Sequence, residues 1–318
     1  GEIAVEDLII EEDMVVTVSH NGYIKRNPIS LYRSQRRGGK GVTGMTTRQE
    51  DFVEHLFVAS THSHILFFTS TGKVFWQKVY ELPQAGRAAM GKAIVNLLNL
   101  SADEQLAAIL AVREFVEGKY IVMATRKGLI KKTPLMAYSR PRAGGIIALS
   151  IDEDDELIAA RVTDGSQAIL LGSRKGKAIR FKETEVRPMG RTARGVRGMS
   201  VGDDDAIIGM EAIGEGATIL TVTEHGYGKR TNTPEYRIQG RGGQGIITIK
   251  TTERNGDVVG MKEVADDDEV MLITNQGTII RMKIKGISVI GRNTQGVRLI
   301  NVEKGEKVVG VAHLAEEE

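Results

Sequence analysis

The segment Val15–Gly22, which reads VVTVSHNG, decides the fold because related segments recur along the whole chain. Each copy is a short run of β-prone residues, followed by polar residues and then a glycine. A second glycine follows the first after 19 residues, or after 17 in the third copy. Fixed-period self-similarity of this kind indicates a repeat architecture, so the sequence predicts six homologous units. The first glycines, spaced by 50, 56, 48, 50 and 51 residues, are Gly22, Gly72, Gly128, Gly176, Gly226 and Gly277; the second are Gly41, Gly91, Gly145, Gly195, Gly245 and Gly296.

Each unit has the pattern of about four antiparallel strands. The first glycine suits a hairpin turn that needs a positive φ, and Asn21-Gly22 is the strongest such signal. Apolar residues resume after the turn, a strand follows the second glycine, and another precedes each hairpin, as at 55–59. Four strands in about 50 residues are typical of a propeller blade. We predict an all-β, six-bladed, propeller-like disc that forms one domain over 1–318, with units at 1–50, 51–101, 102–153, 154–202, 203–253 and 254–318.

One segment conflicts with this repeat. Ser101–Glu104 resembles a capping box ahead of Leu106–Val112, which locally favours a helix. The repeat places a strand at Leu106–Val112, and we predict the strand. The greater length of the third unit leaves room for one helical turn.

Composition limits the protein classes that fit. The chain has 318 residues, of which 41% are hydrophobic and 26% charged, as in a globular protein. It has no cysteine, which excludes disulfide frameworks, thiolate nucleophiles and Cys-ligated zinc and is compatible with a reducing cytoplasm. No apolar run approaches the ~20 residues that span a bilayer. We therefore expect a cytoplasmic protein with no membrane partner.

The net charge of +2 hides a separation of basic from acidic residues. Windows from each first glycine to three residues past the second contain 30 of the 43 Lys and Arg residues but only 4 of the 41 Asp and Glu residues. Because the units fold alike, these cations should lie on equivalent edges and form a belt, which is typical of a protein that binds a polyanion. The windows are 22–44, 72–94, 128–148, 176–198, 226–248 and 277–299.

The cations also recur at fixed positions. Four residues after the first glycine, five of six units have a basic residue; four residues before the second glycine, five of six have arginine. Arg binds phosphate through two N–H groups, and glycine lets the backbone approach closely, so such loops can hold a duplex without reading its bases. The first position holds Arg26, Trp76, Lys132, Arg180, Arg230 and Arg281, and the second holds Arg37, Arg87, Pro141, Arg191, Arg241 and Arg292.

The loop of the first unit adds a specific motif. Its residues Gln35, Arg36, Arg37, Gly38, Gly39, Lys40 and Gly41 read QRRGGKG. This heptad resembles the gyrase A box of the C-terminal DNA-wrapping domains of gyrase A, one of the two proteins that form DNA gyrase, a type IIA DNA topoisomerase. The six-unit pattern extends the resemblance over nearly the whole chain. The related protein of topoisomerase IV shares the fold, but its box is degraded or missing, which favours the gyrase family.

The resemblance implies a six-bladed β-pinwheel in which neighbouring blades exchange a strand. It implies that duplex DNA wraps around the basic rim in a positive sense, with the box essential, and that this wrap enables negative supercoiling. The strand-cutting tyrosine and the metal site would belong to the enzyme core, which includes the N-terminal breakage-reunion region of gyrase A, and ATP hydrolysis would belong to gyrase B. We therefore expect no catalytic centre and no cofactor in this chain, those two protein partners, and a bacterial, nucleoid-associated location.

The other basic residues of the loops are predicted to make auxiliary DNA contacts. The alternative interpretation is a propeller scaffold for protein partners, since the repeat periods overlap, although WD dipeptides are absent from this sequence. An enzyme with a site in a central channel is a third interpretation, with no pair of acid and base behind it. The predicted auxiliary residues are Lys25, Arg26, Arg87, Lys131, Lys132, Arg140, Arg142, Arg180, Arg191, Arg194, Lys229, Arg230, Arg241, Arg281 and Arg292.

Several motif matches are rejected as sites. The segment 86–93 nearly matches a P-loop, but it has Ala93 where Mg²⁺ coordination needs Ser or Thr, and we predict no helix after it. Gly240–Gly245 spells G-x-G-x-x-G without the strand–turn–helix context of a dinucleotide site. His62 and His64 have no third ligand nearby, and the acidic clusters lack EF-hand spacing. We predict no metal site.

Overall fold

The structure is a computed structural model, and it describes residues 4–29, 51–86, 89–214 and 218–313. Within these ranges the chain forms β-strands, short 3₁₀ helices and one four-residue α-helix, which confirms the all-β prediction. The strands are Asp13–Ser19 (β1), Tyr23–Pro28 (β2), Val53–Ser60 (β3), His64–Thr69 (β4), Lys73–Lys78 (β5), Lys92–Ala93 (β6), Leu106–Val112 (β7), Tyr120–Thr125 (β8), Leu129–Pro134 (β9), Ile146–Ile147 (β10), Leu157–Thr163 (β11) and Ala168–Ser173 (β12).

The second half of the chain continues the same alternation. Its strands are Lys177–Lys182 (β13), Val196–Arg197 (β14), Ile207–Ile213 (β15), Thr218–Thr223 (β16), Tyr227–Asn232 (β17), Ile246–Ile247 (β18), Val258–Val264 (β19), Glu269–Thr274 (β20), Ile279–Lys283 (β21), Val297–Arg298 (β22) and Val308–His313 (β23). The 3₁₀ helices are Val5–Leu8, Val79–Glu81, Leu135–Tyr138, Glu183–Glu185, Thr233–Glu235 and Ile284–Gly286, and the α-helix (α1) is Ile94–Leu97.

The strands form six antiparallel sheets that we call blades one to six. Five blades have four strands, and blade six has three strands among the described residues. The outermost strand of each four-stranded blade comes from the following unit, which confirms the strand exchange that the resemblance implied. From hub to rim the blades are β3-β1-β2-β6, β7-β4-β5-β10, β11-β8-β9-β14, β15-β12-β13-β18, β19-β16-β17-β22 and β23-β20-β21.

The strand before each hairpin belongs to a different blade from the one the sequence units suggest. The units at 1–50 and 51–101 assign residues 53–60 to the second unit, but β3 pairs with β1 of the first, with Val16 opposite Phe57. The same holds for β7, which pairs with β4. Apart from its exchanged strand, each of the first five blades therefore ends about ten residues later than its sequence unit, and those unit boundaries need this correction.

The conflict between helix and strand is resolved as predicted, with one difference in place. Leu106–Val112 forms strand β7, and residues 101–104 form a turn rather than a helix start. The one α-helical turn among the described residues is α1, where residues 94–97 follow the exchanged strand β6. It lies in the second unit and not, as expected, in the third.

The blades close into a ring through their innermost strands. Strands β3, β7, β11, β15, β19 and β23 each contact the next, and β23 also contacts β3. Phe52, which precedes β3, packs against Met271 and Ala312 of blade six and so joins the two ends of the repeat. The exchanged strands lie at the opposite edge of each sheet, and the loops that lead to them therefore lie at the outer rim.

The cores lie between adjacent blades. Val16 and Ile24 of blade one pack with Ile65 and Phe67 of blade two, and all four side chains are fully buried. Burying each such side chain contributes about 1.5–3 kcal/mol, so the blades stabilise one another and not only themselves.

The recurrent glycines are explained by this packing. Gly128 has a φ of +99°, and a Cβ there would lie 2.2 Å from the carbonyl oxygen of Met199 in the next unit. Gly195 has a φ of +95°, and its Cβ would lie 2.6 Å from the carbonyl oxygen of Ile130. Both glycines of the repeat are thus required where the exchanged strand meets the preceding hairpin.

Candidate nucleic-acid interface

The predicted box lies outside the described residues. Its members Gln35, Arg36, Arg37, Gly38, Gly39, Lys40 and Gly41 all fall within 30–50, and Arg87 falls between the described ranges as well. Their DNA contacts remain predictions. The described part of the candidate interface consists of the rim loops that precede β10, β14, β18 and β22.

The basic position four residues after the first glycine joins adjacent blades. Arg26 Nε donates to the carbonyl oxygen of Leu82 at 2.8 Å, and Arg230 Nε donates to that of Ile287 at 3.0 Å. Both carbonyls end a 3₁₀ helix of the following unit. Arg180 Nη1 donates to Thr233 O and Tyr236 O at 3.1 and 3.3 Å, at the two ends of such a helix. Lys132 Nζ donates at 3.1 Å to Glu183 O, where the 3₁₀ helix of the following unit begins.

Trp76 shows what this position requires. Its indole Nε1 donates to the carbonyl oxygen of Tyr138 at 2.9 Å, at the end of the 3₁₀ helix Leu135–Tyr138. An uncharged side chain therefore performs the same task as its basic counterparts. The shared property is an N–H donor long enough to reach the next blade.

These contacts correct our interpretation of why the cations recur at fixed positions. The regular spacing of these cations arises from contacts between blades, since Lys132 is 4% exposed and Arg230 is 6% exposed. Lys132 also pairs with the buried carboxylate of Glu183 at 3.7 Å. Neither side chain presents its charge at the surface, and Arg26 and Arg180 are only partly exposed. Arg281 differs, because it is exposed and binds the carboxylate of Glu269 on the paired strand.

Lysines three residues after the first glycine are buried as well. Lys25, Lys131 and Lys229 each have 0% exposure, which is contrary to the predicted rim contacts. Lys229 Nζ donates to the carbonyl oxygens of Gly291 and Arg292, both at 2.6 Å. Lys25 Nζ similarly reaches the carbonyl oxygens of Gly86 and Ala89, at 3.0 and 2.9 Å. These ammonium groups hold the rim loop of the next unit from beneath.

Burial lowers the pKa of two of these lysines. Desolvation, with a smaller contribution from nearby Arg191, lowers the pKa of Lys131 to about 7. Desolvation also lowers the pKa of Lys229 to about 8. Lys131 donates to the carbonyl oxygens of Ala148 and Arg191, at 2.6 and 2.5 Å.

In blades two and four, the position three residues after the first glycine holds an apolar side chain instead of a lysine. Phe75 lies under Gly145, where an added Cβ would meet the ring at 2.9 Å. Ile179 lies under Gly243, with its Cδ1 3.7 Å from an added Cβ. The rim loops of units four and six are thus supported by a lysine, and those of units three and five by an apolar side chain.

The arginines four residues before the second glycine link consecutive rim loops. Arg191 Nη1 donates to Ile147 O at 3.3 Å, and Arg292 Nη1 donates to Ile247 O at 2.8 Å. Arg241 Nη1 donates to the carbonyl oxygen of Arg197 at 2.6 Å. Each guanidinium uses part of its donor set on the preceding exchanged strand and is partly exposed. These arginines remain candidates for phosphate contacts.

Among the described residues, the exposed members of the predicted set are Arg140, Arg142, Arg194 and Arg281. The first three lie in the rim loops of units three and four. Arg194 is 3.2 Å from Asp152, so one acidic cluster approaches the rim more closely than the charge separation suggested. Other acids pair with hairpin turns, as Glu156 does with Arg126 at 3.5 Å.

The argument from recurrent positions missed several exposed cations in the same loops. Arg187, Arg197 and Arg237 are exposed and lie in the basic windows, but they fall outside the two recurrent positions. The charge windows alone would have found them. The recurrent positions instead selected residues that the repeat needs for packing.

The rejected motifs are not assembled into sites among the described residues, with one correction. A helix does follow the segment 86–93, because α1 begins at Ile94, so that expectation was wrong. The helix has four residues, and Lys92 and Ala93 before it pair with β2 rather than forming a phosphate loop. The described part of the chain contains no group of three or more His, Asp and Glu residues that could hold a metal ion. None of its helices has the length and apolar character to cross a bilayer.

Comparison with known proteins places the repeat in a family. The sequence matches the family described as DNA gyrase C-terminal domain, beta-propeller, over residues 13–60, 63–113, 119–164, 167–213, 217–265 and 268–314.

Similar proteins include two curated relatives and one solved structure. The chain is 52% identical to the DNA gyrase A protein of Salmonella typhimurium over 99% of its length, which is 36% of that protein. It is 56% identical to the DNA gyrase A protein of Halalkalibacterium halodurans over 97% of its length, which is 37% of that protein. The crystal structure of the C-terminal domain of DNA topoisomerase IV superposes with a TM-score of 0.85 at 25% identity, covering 96% of this chain and 94% of that one.

Proposed function

This chain belongs to the family of DNA gyrase C-terminal domains with a beta-propeller fold, and we propose that it binds, bends and wraps duplex DNA around its rim. It spans 36% of the length of one gyrase A relative and 37% of another. The activity of a whole gyrase is therefore part of the proposal, in which this chain is the non-catalytic wrapping module.

The observation that carries the proposal is the exposed arginines on the rim loops. Arg140, Arg142 and Arg194 are exposed on the loops of two consecutive units, with Arg191 and Arg292 partly exposed at equivalent positions. Guanidinium groups repeated along a curved edge can bind successive phosphates of one duplex. No base-reading pattern is needed, so the contacts are expected to tolerate any sequence.

Bending requires that the contacts be distributed. A bend of 40–90° over ~20–30 base pairs costs about 1–6 kcal/mol, and a larger wrap costs more. Contacts on a single blade would touch only a short stretch of the duplex and could not hold a bend along its length. The repeat offers the same kind of loop on successive blades, which spreads the contacts along the path of the duplex.

The remaining parts of the proposal follow the family resemblance. The wrap has a positive sense, the box at 35–41 fixes it, and the wrapped duplex is presented for strand passage that introduces negative supercoils. The partners are double-stranded DNA, the N-terminal breakage-reunion region of gyrase A and, through it, gyrase B. This chain contributes no catalytic centre and takes no cofactor, since ATP and Mg²⁺ act elsewhere in the enzyme, which works on the bacterial nucleoid in the cytoplasm.

A ligation assay tests the proposal. Nicked circular DNA is sealed in the presence of increasing amounts of the 318-residue chain, and the linking number of the product is measured. A positive shift that grows with protein and disappears at high salt is expected, because counterion release makes phosphate contacts salt-dependent. A form lacking 35–41 should still bind but should give little or no shift. Binding without any shift in the intact chain would refute wrapping.

The wrapping domain of topoisomerase IV is the alternative within the same fold. The structure superposes well on the C-terminal domain of that enzyme, but the identity is 25%, compared with 52% and 56% for two gyrase A sequences. The intact heptad at 35–41 also favours gyrase. A scaffold for protein partners has no observation in its favour that the wrapping module does not also explain.

A further inference from the structure

One tyrosine of blade five holds two arginines side by side. Tyr227 is buried at the start of β17, and its hydroxyl oxygen accepts hydrogen bonds from Arg254 Nε at 3.1 Å and from Arg298 Nη2 at 2.8 Å. Both guanidinium carbons also lie over the Tyr227 ring, 5.4 and 5.3 Å from its centroid. The two cations are therefore fixed in place by one uncharged group.

Their charges are not neutralised by the described part of the protein. Among the described residues, no carboxylate lies within 4.0 Å of Arg254 or Arg298. Apart from Tyr227, Arg298 has the side-chain amide oxygen of Asn301 as a partner, at 3.3 Å. The hydrogen bonds from the two arginines also lower the pKa of the Tyr227 hydroxyl. Two neighbouring guanidinium groups without an acid repel each other, so an anion between them would stabilise the arrangement.

The corresponding loop of blade three, residues 151–156, carries acids and no cation. In blade three, Arg126 and Lys127 of the hairpin turn pair with Glu156 and Asp154 of the following loop. In blade five the turn carries Glu224, and the loop contains Arg254 between Glu253 and Asp257, whereas the loops of blades three and four contain no cation. The arginine is thus a local departure from the repeat.

The pair also has the position and the space for a ligand. Arg298 lies on the exchanged strand β22, directly opposite Tyr227 in the sheet, and therefore at the rim. A surface pocket of about 450 Å³ is lined by Tyr227, Arg254, Gln295, Gly296, Val297 and Arg298. Among the other described pairs at this position, Leu129 faces Arg197, Lys177 faces Ile247 and Tyr23 faces Ala93, so none combines the phenol with an arginine.

We propose that Arg254 and Arg298 bind a phosphate group of the DNA backbone, with Tyr227 as the residue that positions them. This inference deepens the proposed function and depends on it for the source of the phosphate. Two guanidinium groups present several N–H donors to one phosphodiester, an arrangement that a single flexible lysine cannot provide. The site gives blade five a fixed point of contact beside the rim loop of unit six.

The test compares two double variants of the 318-residue chain in duplex-DNA titrations at several salt concentrations. Arg254→Ala with Arg298→Ala should weaken affinity roughly tenfold and reduce the slope of log affinity against log salt by about 1, as expected for one lost phosphate contact. The control, Arg113→Ala with Lys119→Ala, removes the same charge at residues that line a different cavity. It should change neither quantity appreciably.

Tyr227→Phe separates positioning from charge. It keeps both arginines and the ring but removes the hydroxyl acceptor, and it should reduce the salt slope toward that of the double variant. Arg298→Lys should keep the charge but recover less affinity than the wild type has, because an ammonium group lacks the planar fork. If both single variants match the wild type, the positioning role is wrong.

The outcomes distinguish this inference from the proposed function. If the wild type binds DNA and the two double variants behave alike, the site is wrong and the wrapping proposal stands. If the wild type does not bind DNA, the wrapping proposal fails, and a titration with inorganic phosphate followed by NMR of the arginine side chains decides the site. Shifts at Arg254 and Arg298 would then assign the site to free phosphate, and their absence would refute it.

Discussion

Two rim loops of this protein have similar sequences, but different side chains support them from beneath. The loop of unit six, residues 291–296, and the loop of unit five, residues 239–245, both lead through an arginine to the second glycine and an exchanged strand. Beneath the first lies the ammonium group of Lys229, which contacts Gly291 O, Arg292 O and the Thr294 hydroxyl at 2.6, 2.6 and 3.1 Å. Beneath the second lies the side chain of Ile179.

The loop over Ile179 is held from its sides instead. The amide of Gly242 donates to Gly198 O at 2.9 Å, and the amide of Arg241 donates to the carboxylate of Glu185 at 3.1 Å. Ser200 donates to the carbonyl oxygens of Gly242 and Gly243. The same loop outline is thus reached in two ways, and only one of them uses a cation. A lysine next to a proposed DNA-binding loop is therefore not by itself evidence of a DNA contact.

Replacing the two supporting side chains should have very different effects. Lys229→Met keeps the length of the side chain but removes one donor each from Gly291 O and Arg292 O, which still accept from the hydroxyl and the amide of Thr294. The loss of the ammonium group should cost about 1–3 kcal/mol of unfolding free energy. Ile179→Met conserves volume and should cost less than about 1.5 kcal/mol. Urea unfolding of both variants measures the difference. Equal losses would show that Lys229 acts only as a filler.

The pH dependence of stability provides a second test of the buried lysines. The pKa of Lys131 is about 7 in the folded protein, and it returns to the ordinary value near 10.5 on unfolding. Between these values the unfolded chain binds more protons than the folded one, so stability rises with pH, by at most about 1.4 kcal/mol per pH unit. Below about pH 7 the ammonium group is charged in both states and the slope vanishes.

The measurement is the unfolding free energy of the wild type minus that of Lys131→Met, from about pH 6 to about pH 9. Subtraction removes the contributions of other groups, including Lys229, whose pKa of about 8 gives a similar rise. The difference should be flat near the acidic end and should increase above the folded pKa of about 7. A difference that stays flat up to about pH 9 would mean that the pKa of the buried ammonium group is not lowered, contrary to the desolvation argument.

Trp76 extends the comparison to the neighbouring position. Trp76→Phe removes the donor to Tyr138 O while keeping an aromatic ring, and we expect a loss of about 1–2 kcal/mol in unfolding free energy. Trp76→Arg restores the residue type of four sister units and an N–H donor, so it should lose less than the phenylalanine variant. The opposite order in urea unfolding would show that ring packing, rather than hydrogen bonding, is what blade two needs.

The repeat made most of the fold predictable. Six glycine-ended strands at a period near 50 residues are a local signal, and they predicted the blades, the hairpins and the strand at Leu106–Val112 over a competing capping box. The assignment of β3 to blade one was missed, because a strand that follows a long loop can pair on either side and the sequence does not record its partner. Strand exchange came from the family resemblance alone.

The site was less predictable because the direction of a side chain depends on distant partners. Lys132 and Arg230 point toward carbonyl groups more than 50 residues away in sequence, and no local pattern distinguishes that from exposure at the rim. Trp76 was the available clue, since an uncharged donor at a basic position indicates that hydrogen bonding is the shared requirement. Arg254 was missed for the opposite reason, as it lies outside the repeated positions.

The smallest effect on stability is expected for an exposed rim arginine. Arg194 is 3.2 Å from Asp152 with most of its side chain in solvent, and such surface pairs contribute about 0–1 kcal/mol. Arg194→Ala should therefore leave urea unfolding almost unchanged, whereas its duplex affinity should show a salt slope lower by about 1 if the residue binds a phosphate. Asp152→Ala should leave the slope intact or raise affinity, because it frees the guanidinium. A normal salt slope in Arg194→Ala would place the DNA path away from unit four, and the exposed arginines of unit three would then be the next to replace.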